Sequence, residues 1–180
     1  MGATRLLLVV PLLLGLGLER RSGDAIYDES VDAHRLVRSA IAEASRTHKN
    51  VILDFGANWC YDCHVLEDQM RTPELARIID NNFVVVDIDV GKFDKNLDLA
   101  EKYQVPLKKG IPALAVLDSH GKLLYAQDQG QFESARWLRY EEIKEFFEKW
   151  AHAKQGRQKQ HASVAILTIR RMHEGMKQKA

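Results

Sequence analysis

The chain has 180 residues, 46% hydrophobic and 28% charged, one domain's worth of material with enough apolar side chain for a core that needs no metal or disulfide staples. Its 26 Lys and Arg against 25 Asp and Glu leave a net charge of +1, without the basic excess of a dedicated nucleic-acid binder. Only two cysteines occur, so a disulfide-knit scaffold is excluded.

A basic start ending at Arg5 is followed by an uncharged apolar run from Leu6 to Leu18, the layout of a secretory signal peptide. As a helix this run reaches about 20 Å, short of the roughly 30 Å of a bilayer core. Glu19-Arg20-Arg21 ends it abruptly. Small residues at Gly15 and Gly17, and again at Gly23 and Ala25, give no clean Ala-x-Ala. The leader is therefore expected over 1–25 without a fixed cleavage point, and an uncleaved membrane tether is its other possible fate. Export implies an oxidising compartment, where a cysteine pair means redox work or haem.

Apolar positions Ala33, Leu36, Val37, Ala40, Ile41 and Ala44 recur at three- and four-residue steps, predicting an amphipathic helix from Asp28 to Lys49. Val51-Ile52-Leu53-Asp54-Phe55 fits a buried central strand. After the Gly56–His64 segment, Val65–Arg71 is compatible with a helix, and Thr72-Pro73-Glu74 looks like a fresh helix start with threonine as cap. A second strand runs Phe83–Val90, with Val86, Ile88 and Val90 on one face and two aspartates on the other. Leu97–Tyr103 reads as a helix and Ile111–Leu117 as a third strand entered through a proline. Asp118–Lys122 turns the chain into a fourth strand, Leu123–Ala126, making a hairpin. Ile143, Phe146, Phe147, Trp150 and Ala151 stripe a closing helix over Glu141–Lys154. This order is α/β with a mixed sheet.

Charge is unevenly spread. Residues 24–150 carry 16 basic and 23 acidic residues, whereas 151–180 carry 7 basic and 1 acidic. Ala162, Ala165, Ile169, Met172 and Met176 are spaced to line one face if that tail forms a helix. It can fold back on the acidic body as a solvated helix, or meet a membrane surface or an acidic partner.

Trp59-Cys60-Tyr61-Asp62-Cys63-His64 carries the chemistry. Two thiols separated by two residues at a helix start can close a small disulfide ring. Unpaired N–H groups and the helix dipole there stabilise a thiolate on the first sulfur. The second, one turn inward, can attack the first. The spacing suits thiol–disulfide exchange, with Cys60 attacking a partner disulfide and Cys63 resolving the mixed one. Zinc would need two further ligands, yet there is no other cysteine, and His34, His48, His120, His152, His161 and His173 lack ligand spacing. Cys60-x-x-Cys63-His64 also satisfies the c-type haem attachment pattern. A buried strand leading straight into the motif, with Trp59 beside the first cysteine, weighs against haem.

These residues together resemble the thioredoxin-fold family over roughly Asn50–Trp150. Val51–Cys60 resembles the family's strand running into Trp-Cys, with Asp54 six residues before Cys60 where thioredoxins keep a buried acid. Leu99–Val105 resembles the helix end that leads to the family's cis-proline, and Ile111-Pro112-Ala113 matches its Ile-Pro-Thr segment. The exported character is similar to periplasmic thioredoxin-like proteins and to the soluble domain of the thiol:disulfide interchange system. The resemblance implies Asp54 as proton acceptor for Cys63, and Pro112 in cis facing the disulfide. Ile111 and Trp59 would share the substrate side with Pro112. A solvent-facing Asp54, a trans Pro112 and a Trp59 that simply packs are the plain alternatives.

The chain also departs from the pattern. Tyr61-Asp62 replaces the Gly-Pro of cytosolic thioredoxins and the Pro-His of strong oxidants, and Pro106–Gly110 lengthens the approach to Pro112. A carboxylate at Asp62 should disfavour a nearby thiolate, which points to a reducing couple. His64 either supports a thiolate or points to water.

The expectation is an α/β thioredoxin fold, a central mixed sheet flanked by helices. It would carry an extra N-terminal helix and a basic C-terminal helical tail. The domain spans 26–154, after a 1–25 signal peptide and before a 155–180 tail. It acts as a monomeric thiol–disulfide oxidoreductase outside the cytoplasm, a reductase or interchange protein. Its partners are protein disulfides and a redox protein that supplies electrons, with no metal, organic cofactor or nucleic acid. Membrane contact would come through the leader or tail. Two other readings stay open: a c-type haem electron carrier and a non-catalytic thioredoxin-like binding module.

Overall fold

A computed structural model describes residues 25–151; the expected leader up to residue 24 and the basic tail lie outside the described residues. The first irregular stretch leads into α1 (Ala33–Thr47), β1 (Asn50–Gly56), α2 (Tyr61–Met70), α3 (Pro73–Asn82) and β2 (Phe83–Asp89). Then come α4 (Leu97–Lys102), β3 (Ala113–Leu117), β4 (Leu123–Ala126) and a closing helix α5 over 140–151.

The four strands form one sheet in the order β2-β1-β3-β4. β1 pairs parallel with β2, Asp54 opposite Asp87, and antiparallel with β3. The mixed sheet expected from the element order is therefore present. β1 is central and buried along its whole length, as suits a strand covered on both faces. Val51, Leu53 and Phe55 enter a core with Val37, Ala40 and Ala44 of α1 and Leu99 of α4. Ile52 enters the opposite core with Leu66 of α2, Leu75 and Ile79 of α3, and Ile143 and Phe147 of α5. Side chains alternate along a strand, so Asp54 shares the Ile52 side, beneath α2. Each large side chain fully removed from water contributes about 1.5–3 kcal/mol to this two-sided core.

Several boundaries differ from the sequence reading, each for a local reason. The first helix begins at Ala33 and not at Asp28, because the Asp32 carboxylate accepts the Arg35 N–H at 3.2 Å and caps it there. Upstream, the Asp28 carboxylate accepts from the N–H and hydroxyl of Ser30 and turns the chain. That turn leaves Ile26 and Tyr27 free to enter the core. α2 starts at Tyr61, earlier than the compatible run at Val65, with Cys60 as its N-cap. Pro73 takes the first turn of α3 as expected, but the Thr72 hydroxyl donates back to the Gln69 carbonyl at 2.8 Å and does not cap. β3 begins only at Ala113, so Ile111 and Pro112 stand before the strand. Asp89 is buried beside Lys95, which reaches its carboxylate at 2.8 Å.

Candidate active site

β1 ends at Gly56, and the turn Ala57-Asn58-Trp59 lifts the chain into α2, with the Cys60 N–H bonded to the Ala57 carbonyl at 2.9 Å. Cys60 is the N-cap of α2, and its sulfur accepts the Cys63 N–H at 3.1 Å. The two cysteines are joined as a disulfide with Cα atoms 5.3 Å apart. Cys60 keeps 5% of its surface and Cys63 none, so only the first sulfur can be approached from outside. A thiolate at that N-cap would lie among unpaired helix N–H groups at the positive end of the dipole.

The Ile111–Pro112 peptide bond is cis, and Cys60 Sγ lies 3.5 Å from the Ile111 carbonyl oxygen. Pro112 thus stands against the disulfide. Gln127, just past β4, locks this corner. Its side chain accepts the Leu114 N–H at 3.2 Å and donates to the Pro112 carbonyl at 3.3 Å.

Trp59 is 57% exposed; its indole N–H donates to the Gly91 carbonyl at 2.8 Å, and its ring meets Phe93 edge-on at 5.9 Å. It therefore stands as a braced wall at the rim beside Cys60. Phe93 continues into an apolar groove of about 690 Å³ lined by Leu97, Val105, Pro106 and Leu107. The lengthened Pro106–Gly110 approach builds that groove, with a short turn at Leu107–Lys109. Among the described residues, the large hydrophobic side chains left exposed are Trp59, Tyr61, Phe93, Leu97 and Trp137.

Asp54 is buried, 2% exposed, so the solvent-facing alternative does not hold. Its Oδ2 accepts the Tyr27 hydroxyl at 3.1 Å, while Oδ1 has no hydrogen-bond partner among the described residues. Burial first, then the charge of Asp87 on the adjacent strand, push this carboxyl well above the usual carboxylate range, with only the Tyr27 hydrogen bond pulling down. Burial, then the Asp54 charge, hold the Tyr27 phenol well above its ordinary range too, so it remains a donor. Tyr27 is fixed at its backbone as well. Its N–H donates to Asn58 Oδ1 at 3.0 Å, and Asn58 Nδ2 donates to its carbonyl at 2.8 Å.

Asp62 corrects the sequence reading. It does not stand as a bare carboxylate beside the sulfurs. It is buried and held by Arg136, whose backbone N–H and side-chain Nε donate to Oδ1 at 2.9 Å and whose Nη2 pairs with Oδ2. The hydrogen bonds from the Arg136 side chain hold this carboxyl below the usual range, against its burial. Arg136 also lies over the Tyr61 ring, 4.8 Å from its centre, so one cation grips both residues between the cysteines. The charge next to the disulfide is balanced, and the inference of a reducing couple from a free carboxylate loses its basis. His64 is half-buried, and its Nε2 donates to the Asn58 carbonyl at 2.8 Å.

Cys60, Cys63, Asp54, Trp59, Ile111 and Pro112 thus converge on one end of the sheet, while Asp62 and His64 are engaged elsewhere. Tyr27, Arg136 and Gln127 were invisible to motif reasoning. The sole sequence signal for Tyr27 is an apolar pair, Ile26-Tyr27, set among acidic residues; Arg136 and Gln127 carry none.

A family model described as thioredoxin-like matches residues 32–119. Thioredoxin-1 of Drosophila yakuba is 33% identical over 92 residues, covering 51% of this chain and 73% of its own. Thioredoxin-1 of Drosophila melanogaster is 32% identical with the same coverage. The crystal structure of a disulphide isomerase from Xylella fastidiosa Temecula1 superposes with a TM-score of 0.68 at 43% identity, covering 70% of this chain and 96% of that one.

Proposed function

The chain belongs to the thioredoxin-like family and is a thiol–disulfide oxidoreductase; from that premise we propose that Cys60 attacks the disulfide of a protein substrate and Cys63 resolves the mixed disulfide. The observation that carries the assignment is the asymmetry of the pair. Cys60 caps α2 with its sulfur on a backbone N–H and retains some exposure, whereas Cys63 has none. Once Cys60 is joined to a substrate, Cys63 lies one turn inward, where it can reach the bonded sulfur without leaving the core. Asp54 is the buried base that takes the Cys63 proton. Ile111 and Pro112, with Trp59 at the rim, form the wall along which a substrate chain lies.

Protein substrates fit the open, apolar rim, and the likeness to a disulphide isomerase supports them. The leader layout supports export for a domain over 26–154, with 155–180 as a basic appendage. Replacing Cys63 with Ala is expected to trap substrate proteins on Cys60 as mixed disulfides that a reductant releases, and mass spectrometry would name them. No trapped species, or co-purification that persists once Cys60 is also replaced by Ser and no thiol remains, would leave a binding module in place of an enzyme. The haem reading does not fit the geometry. Cys63 is fully buried, and the His64 nitrogen Nε2 is already held by the Asn58 carbonyl.

A further inference from the structure

Tyr27 comes from outside the family-matched stretch, which begins at residue 32, yet it ends inside the site. A Cβ built on Gly56 would collide with the Tyr27 phenol oxygen and come to 3.0 Å of Cys63 Sγ. Hydroxyl and sulfur therefore share the space above one glycine. The same hydroxyl donates to Asp54 Oδ2, and Asp54 Oδ1 is left without a partner. The Asn58 side chain, two residues before Cys60, holds the Tyr27 backbone through both its N–H and its carbonyl. The segment before α1 is thus tied to the turn that presents the nucleophile.

We propose that Tyr27 is a positioning residue for the resolving step: its hydroxyl occupies Asp54 Oδ2, so Oδ1 is the oxygen that receives the Cys63 proton. This role rests on the assignment of Cys60 as nucleophile and Cys63 as resolver. In the step, Cys63 Sγ loses its proton to Asp54 Oδ1 and forms a bond to Cys60 Sγ. The bond between Cys60 and the substrate sulfur breaks, and the substrate leaves with that electron pair as a thiolate, which takes a proton from water. Asp54 then returns its proton to solvent. Tyr27 ends the step as it began, a neutral phenol donating to Oδ2. Its ring fills the space next to Cys63 Sγ, which keeps water from competing for that proton.

The reduced full-length chain treated with excess 5,5′-dithiobis(2-nitrobenzoate) tests this. Thionitrobenzoate is released first as Cys60 attacks and again as Cys63 resolves, so the two steps are read separately. Tyr27→Phe keeps the ring and removes the hydroxyl. The first phase is expected to stay within about twofold, and the second to slow about tenfold at neutral pH. The pH midpoint of the second phase is expected to move upward, because the carboxylate loses the one donor that favours its charged form. Asp87 on β2 and Glu67 on α2 also act on Asp54, and both remain in every variant. Asp54→Asn should slow the second phase as well, and adding Tyr27→Phe to it should slow it no further.

An unchanged second phase in Tyr27→Phe would overturn the role, as would equal slowing of both phases. So would a full additional slowing by Tyr27→Phe when Asp54 is already Asn. If the unaltered chain gave no second phase at all, the Cys60–Cys63 assignment would fall first and this role with it.

Discussion

Replacing Asp54 by Asn in the oxidised protein gives a direct reading of how far the fold perturbs this carboxyl. Asp54 is buried at the centre of the sheet, opposite Asp87 and with a single hydrogen-bond donor. Burial, then Asp87, raise its pKa in the folded state above the unfolded value of about 3.9. A group raised by folding contributes stability that is complete below the unfolded pKa and is lost as pH rises through the folded one. Between those two pH values the folded state holds one proton more than the unfolded state, so stability falls by about 1.4 kcal/mol per pH unit. Asn has no proton to lose. The stability of Asp54→Asn minus that of the unaltered chain should therefore climb with this slope from about pH 4. It should level off at the folded pKa of Asp54. Urea denaturation across pH 4–9, with the disulfide intact so that Cys63 does not titrate, gives the curve. Carboxylates remote from Asp54 are common to both proteins and cancel. A difference that stayed flat over the whole range would mean that Asp54 ionises as freely in the fold as in the denatured chain, and the account of a buried base would be wrong.

Two further outcomes test the electrostatic and apolar surroundings of the disulfide. Arg136→Met leaves the buried Asp62 carboxylate without its cation, so a Cys60 thiolate is disfavoured. Iodoacetamide should modify the reduced protein about threefold to tenfold more slowly at neutral pH, and Asp62→Asn in the same chain should restore the rate. Leu107→Asp places a charge in the groove beside Phe93. It should lower kcat/KM for a protein disulfide about tenfold, equivalent to about 1.4 kcal/mol of binding, while leaving a small aromatic disulfide unaffected; equal losses on both substrates would refute a docking role for the groove.

Much of the architecture could be read directly from periodicity. Val51–Phe55, short and apolar but for Asp54, reads as a covered strand, and the α1 stripe at Ala33, Val37, Ala40 and Ala44 is buried as its spacing implies. The places of the cysteines, Asp54 and Pro112 were legible because they sit at fixed offsets from a strand end or a proline. What was not legible depends on residues distant in sequence. Arg136 reaches Asp62 across 74 positions and Tyr27 reaches Asp54 across 27. No local pattern distinguishes a surface arginine from one that closes over a buried carboxylate. The charge of Asp62 is visible in the sequence, while its counter-charge, Arg136, is not. Periodicity extends α1 back to Asp28 because the Asp28–Ser30 turn and the Asp32 cap that hold its start at Ala33 are side-chain hydrogen bonds that leave no apolar repeat.

Among the described residues, the bulky apolar side chains left exposed gather at one pole. Trp59 and Tyr61 flank Cys60, Phe93 and Leu97 extend from Trp59, and Trp137 adjoins the arginine stacked on Tyr61. Toward a non-native polypeptide the molecule therefore behaves as an amphiphile with a sticky cap. Elsewhere on the described residues a collision meets no such side chain, whereas one on the cap is held within a side chain's reach of the reactive sulfur. The search for a cystine becomes a short lateral walk over one small area in place of a sampling of the whole surface.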